Sequence, residues 1–100
     1  MNDNQITVLI QYQAKLGMGE EAKQELRSLI SAVVSEEACI GINLHQDPND
    51  CTRFMLYENW ADKDFYIGEH MQTPYIQSFI QKAGDFLVAP PEISFWKQLS

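Results

Sequence analysis

His70 is the side chain in this 100-residue chain best suited to proton chemistry. A neutral imidazole at the border of an apolar face can take a proton from a hydroxyl. Asp62 reads as the cap of a helix from Lys63 to about Met71, which places Tyr66 one turn before His70 on one face. The alternative is a structural histidine that caps or hydrogen-bonds between helix and sheet. Glu58 is the second candidate. It lies on an apolar strand face between Leu56 and Trp60, where a carboxylate is costly unless it is paired or protonated. It could orient His70 or bond a substrate hydroxyl. Its structural alternative is an ion pair with Arg53, Lys97 or a base from a partner chain. Trp60 could stack on a flat ligand or hold a hydroxyl through its N–H, or it could be plain core. Tyr66 and Tyr75 could donate their hydroxyls to a ligand oxygen.

Other chemistry finds no residues to carry it. There is no glycine-rich phosphate loop and no G-x-S-x-G; Gly17-Met18-Gly19 merely joins strand to helix. The run Cys39…His45…Cys51 has spacings unlike compact zinc modules and no fourth ligand nearby. No metal site is expected, nor a bound flavin or nicotinamide, so the expected cofactor list is empty. Seven basic against fourteen acidic residues give a net charge of −7, which makes nucleic acid and anionic membrane surfaces poor partners. No apolar run approaches the ~18–20 residues of a membrane span. The start of the chain, MNDNQITVLIQYQ, has no basic segment followed by an apolar stretch, so no signal peptide is expected. The expected location is the cytoplasm, with Cys39 and Cys51 as reduced thiols.

The elements that must hold these residues follow from periodicity. Gln5 to Ala14 alternates, with Ile6, Val8, Ile10 and Tyr12 pointing one way, the period of a strand. Two glycines break it. Glu20 and Glu21 suit a helix start, and Ala22, Leu26, Leu29, Ile30, Val33 and Val34 recur at helical spacing in a helix to about Ala38. Ile40 to Gln46, with Ile40, Ile42 and Leu44 on one face, pairs as a hairpin with Arg53 to Trp60 across Asp47-Pro48-Asn49-Asp50. After the His70 helix, Thr73-Pro74 starts another, with Ile76, Phe79, Ile80 and Ala83 as its buried stripe and Gly84 at its end. Glu92 to Leu99 is a last strand. The order predicts one α+β domain over residues 1–100, a ferredoxin-like βαββαβ fold with a four-stranded antiparallel sheet and helices on one face. The other sheet face carries Leu9, Met55 and Tyr57. Sheet-to-sheet packing of a homodimer would cover it.

The stretch from Phe54 to Phe79 resembles the antibiotic biosynthesis monooxygenase (ABM) family. The carried pattern is a strand ending Tyr57-Glu58-Asn59-Trp60, an acidic cap at Asp62, and His70 ten positions past the tryptophan, followed by Thr73-Pro74 and Phe79. The resemblance implies a dimeric α+β barrel and a cofactor-independent monooxygenase acting on a small phenol or quinol with dioxygen. It implies His70 as base, Glu58 as an orienting carboxylate, and Trp60, Tyr66 and Tyr75 as substrate-binding groups. Tyr75 stands near where related sequences often have a histidine, which argues against a two-histidine mechanism. The haem-degrading branch would need an asparagine, a tryptophan and a ligand histidine where this chain has Ile10, Glu69 and Phe79. Two other readings stay open: an isomerase or other proton-transfer enzyme on a small carbonyl compound, and a non-catalytic domain that binds small ligands.

Overall fold

The computed structural model describes residues 4–100. Strand β1 (Ile6–Gln13) leads through a turn into helix α1 (Gly19–Val33), then the hairpin β2 (Cys39–Asp47) and β3 (Asp50–Trp60). Short helix α2 (Lys63–Ile67), a 3₁₀ turn (His70–Gln72) and helix α3 (Pro74–Lys82) precede strand β4 (Glu92–Trp96). The sheet order is β2-β3-β1-β4, with every neighbouring pair antiparallel. This is the expected α+β, ferredoxin-like fold: one four-stranded antiparallel sheet with three helices.

Alternation decides which side chains meet the helices. Val8, Ile10 and Tyr12 of β1 are buried beside Phe54, Leu56, Glu58 and Trp60 of β3. Ala22, Leu26, Leu29 and Val33 of α1 cover them, together with Ile76 and Phe79 of α3. On the opposite sheet face, Leu9, Met55 and Tyr57 alternate with polar groups, and Thr7 Oγ1 donates to Asn59 Oδ1 at 2.8 Å. Tyr57 is 39% exposed and Trp96 57% exposed.

Two glycines make the β1–α1 turn possible. Gly17 takes a φ of +82°, a conformation that a side chain disfavours. At Gly19 an added Cβ would lie 2.6 Å from the Cys51 carbonyl oxygen. Gly19→Ala must therefore push α1 away from the hairpin, at an expected cost of about 1–3 kcal/mol. A thermal melt should show a fall of at least ~4 °C.

Five local readings change in three dimensions, the first being that Ile80, expected on the buried stripe of α3, is 52% exposed. Helix α1 ends at Val33 rather than Ala38, so Val34 is 53% exposed instead of lying on the buried stripe. A bulge between Cys39 and Gly41 turns Ile40 outward, 57% exposed, away from the face shared by Ile42 and Leu44. The helix expected to run from Lys63 to Met71 stops at Ile67, with Gly68 off helical geometry. Pro74 then holds Thr73 extended (φ −62°, ψ 147°), so the residues between form only the separate 3₁₀ turn that carries His70. Strand β4 ends at Trp96, short of Leu99.

Candidate active site

The site is built on the helix-facing row of β3. Glu58 lies opposite Val8 of β1 on one side and Ile42 of β2 on the other, in the middle of the sheet, and is 3% exposed. Trp60, two residues on, shares its face. The chain then turns at Asp62, whose Oδ1 accepts from Asp64 N (2.9 Å) and Phe65 N (3.3 Å). Asn4 Nδ2 also donates to Asp62 Oδ1, at 2.7 Å. This cap aims α2 back across the sheet and brings Tyr66 over Trp60, ring centroids 5.2 Å apart. The 3₁₀ turn is closed by Thr73, whose Oγ1 donates to the His70 carbonyl at 2.8 Å. It lays the imidazole against both rings, 4.4 Å from Trp60 and 5.0 Å from Tyr66 between centroids.

His70 is 3% exposed. Its Nδ1 lies 2.7 Å from Glu36 Oε2. Opposite a carboxylate, which only accepts, Nδ1 would be the donor of this contact. Tyr75 donates its hydroxyl to the same Glu36 oxygen. Glu36 sits in the connection between α1 and β2, held by Glu36 N to Val33 O (3.0 Å) and Cys39 N to Glu36 O (3.0 Å). Glu58 makes a different contact from the ion pair anticipated with Arg53. Its Oε1 accepts from Trp60 Nε1 at 2.8 Å, while Arg53 pairs with Asp47 at 3.2 Å.

A cavity of about 660 Å³ opens between sheet and helices. Ile10, Leu56, Leu29, Ile76 and Phe79 give it apolar walls; Tyr12, Glu58, Tyr66 and His70 supply polar groups, and exposed Lys15, Val88 and Pro90 border its rim. Among the described residues, the sealed side-chain polar atom without a partner is Glu36 Oε1. The Tyr12 and Tyr66 hydroxyls, Glu58 Oε2 and His70 Nε2 also have no hydrogen-bond partner there, yet they are not sealed, and all four residues line the cavity. A space this size, mostly apolar with a few convergent polar atoms, suits a small organic ligand.

Burial sets the protonation states. It pushes the Glu58 carboxyl up to about 7, against the pull of the Trp60 hydrogen bond and helped by the Glu36 charge. It lowers the affinity of His70 for a second proton, partly offset by the hydrogen bond and charge of Glu36. The Tyr12 and Tyr66 hydroxyls are raised by burial and then by the nearby Glu58 charge. Tyr75 is pushed up to about 12 by burial and then by its bond to Glu36. Near neutral pH the cavity thus holds an unprotonated imidazole, phenol donors and a carboxyl poised between acid and carboxylate.

His70, Glu58 and Tyr66, singled out from sequence, all line the cavity. Trp60 and Tyr75 do not border it; their donors are committed to Glu58 and Glu36. Sequence reasoning missed Glu36. The helix expected to run to about Ala38 kept Glu36 within its last turn and off its apolar stripe, whereas α1 ends at Val33 and the carboxylate lies in the connection that follows. Tyr12 was visible as an inward strand residue, but its hydroxyl carried no signal that it would reach the cavity. Among the described residues no group of three or more His, Cys, Asp or Glu side chains is placed to hold a metal ion. No helix is long and apolar enough to cross a membrane.

Comparison with known proteins agrees with this architecture. The profile of the family described as antibiotic biosynthesis monooxygenase matches residues 5–82. An uncharacterized protein of Synechocystis is 30% identical over 95 residues, covering 95% of this chain and 64% of that protein. The chain therefore spans a little under two-thirds of that relative's length. A crystal structure from Pseudomonas aeruginosa superposes with a TM-score of 0.90 at 26% identity, covering 100% of this chain and 99% of that one. A crystal structure of an antibiotic biosynthesis monooxygenase gives a TM-score of 0.85 at 17% identity, over 95% of this chain and 99% of the other.

Proposed function

This chain belongs to the antibiotic biosynthesis monooxygenase family, and we propose that it is a cofactor-independent monooxygenase acting on a small phenol or quinol with dioxygen. The observation that carries the reading is the juxtaposition of His70, its Nε2 without a hydrogen-bond partner, with Tyr66 and Glu58 in the lining of one mostly apolar cavity. His70 takes the proton of the ring hydroxyl through Nε2. The resulting phenolate is electron-rich enough to pass an electron to dioxygen, whereas the neutral phenol is much less so. The phenoxyl and superoxide radicals combine at a ring carbon to give a peroxide. Loss of water from it leaves a quinone, so one oxygen atom enters the product and the other departs as water. Tyr66, and Glu58 in its protonated form, donate to the substrate oxygens, while the apolar walls orient the ring and exclude water. Trp60 acts through Glu58, and Tyr75 through Glu36. Two copies packing their outer sheet faces, where Tyr57 and Trp96 are half exposed, complete the reading as a cytoplasmic homodimer.

Glu58 and His70 on one cavity also favour a second reading, proton transfer on a small carbonyl compound, because the pair could serve as acid and base without dioxygen. A quinol panel separates the two. Under ¹⁸O₂ we expect stoichiometric dioxygen uptake, with one labelled atom in the quinone and one in water. Turnover of carbonyl compounds under argon, without oxygen uptake on any quinol, would overturn the monooxygenase in favour of the isomerase. Saturable binding without turnover in either atmosphere would leave a ligand-binding domain.

A further inference from the structure

We propose that Glu36 is the positioning residue of this site: it confines the neutral His70 proton to Nδ1, so that Nε2 meets the ligand as a bare lone pair. The assignment rests on the reading of His70 as the base. Its geometry is a contact between Nδ1 and Glu36 Oε2 at 2.7 Å, on a residue that lines the cavity and whose other ring nitrogen has no hydrogen-bond partner among the described residues. An imidazole left to itself exchanges between tautomers. In one of them Nε2 would hold a proton and have no lone pair for a substrate hydroxyl. The carboxylate removes that choice, since it has nothing to donate.

The arrangement around Glu36 fits this role better than a surface anchor. The side chain is 10% exposed, and its Oε1 is sealed without a partner. Burying an unsatisfied carboxylate oxygen costs stability. A site meant only to tie a loop to a helix would not need that charge. Tyr75, from α3, donates to the same oxygen as His70, so two donors from different elements pin one acceptor atom. When Nε2 receives the substrate proton, the imidazolium forms against this carboxylate and is stabilised as a charge-assisted pair. No proton has to pass on to Glu36.

The chain has two histidines, His45 and His70, so nitrogen-15 correlation spectra of the imidazoles can be assigned with one variant, His70→Gln. For the wild type above neutral pH we expect a protonated Nδ1 and a bare Nε2 at His70. In Glu36→Gln the amide can donate as well as accept, so His70 should become a mixture of tautomers. Its kcat for quinol oxidation should fall about 10–100-fold, with KM changing much less. Tyr75→Phe should keep the wild-type tautomer. A wild-type spectrum with the proton on Nε2 would overturn the assignment whether or not any variant folds. So would Glu36→Gln with unchanged tautomer and rate. A tautomer shift in Glu36→Gln in a protein that consumes no dioxygen with any quinol would support the role of Glu36 and reject the monooxygenase.

Discussion

Replacing His70 with glutamine is expected to lower dioxygen uptake on a quinol substrate by about 10²–10⁴-fold, the usual contribution of a placed general base. Glutamine is the informative choice because it can still donate to Glu36, whose carboxylate would otherwise be left buried beside an empty space. What it lacks is a lone pair basic enough to hold a proton. The loss should fall mainly on kcat, since the apolar walls proposed to hold the ring include Ile10, Leu56 and Phe79, which the substitution leaves in place. Oxygen-electrode rates together with a thermal melt check this: rates within about threefold of wild type in a folded variant would remove the imidazole from the mechanism. His70→Ala should lose activity at least as far and also melt lower, because it strips Glu36 of one of its two donors.

Glu58→Gln is expected to change how stability depends on pH. The Glu58 carboxyl has its ordinary value of 4.5 in the unfolded chain and is raised to about 7 in the fold, chiefly by burial. Between those values the folded state holds a proton that the unfolded state has released, so stability falls as pH rises through the window and is flat above it. The span corresponds to about 3 kcal/mol. His70 works the other way: folding keeps it unprotonated below its ordinary value of 6.5, so its contribution rises with pH up to there. That contribution is common to wild type and variant, so their difference isolates Glu58. Glutamine keeps the shape and can still accept from Trp60 Nε1. The two proteins should therefore melt together near pH 4, and the variant should be more stable by about 3 kcal/mol at pH 8. Urea titrations at pH 4, 7 and 8 measure this. Parallel curves would mean that the carboxyl titrates at its ordinary value and cannot serve as a donor near neutral pH.

Both expectations start from residues legible in the sequence. A carboxylate between Leu56 and Trp60 on an alternating strand must face the core, because period two leaves it no other side. Asp62 announced the cap of α2 because its side chain acts on the next few backbone amides, an interaction local in sequence. The alternation of β1 and the spacing along α1 carried the order of elements and, through it, the fold. These signals survive in one dimension because each concerns neighbours within about two helical turns.

What surrounds His70 was not of that kind. Its carboxylate partner lies 34 residues away in the chain, and the residue that shares that partner, Tyr75, looked like a group for the substrate. Glu36 turns inward only because α1 stops at Val33, and His70 stands apart from α2 only because Gly68 and Pro74 deny the helix its continuation. Each helix end is a contest between weak local preferences and packing, which a linear pattern does not resolve. The amino-acid sequence by itself determined the order of strands and helices, the inward face of β3 and the placing of an imidazole near an apolar sheet. Tertiary structure alone decided which of His70's nitrogens meets a carboxylate and which residues line the empty space, because contacts between distant segments depend on distances and angles that residue spacing does not encode.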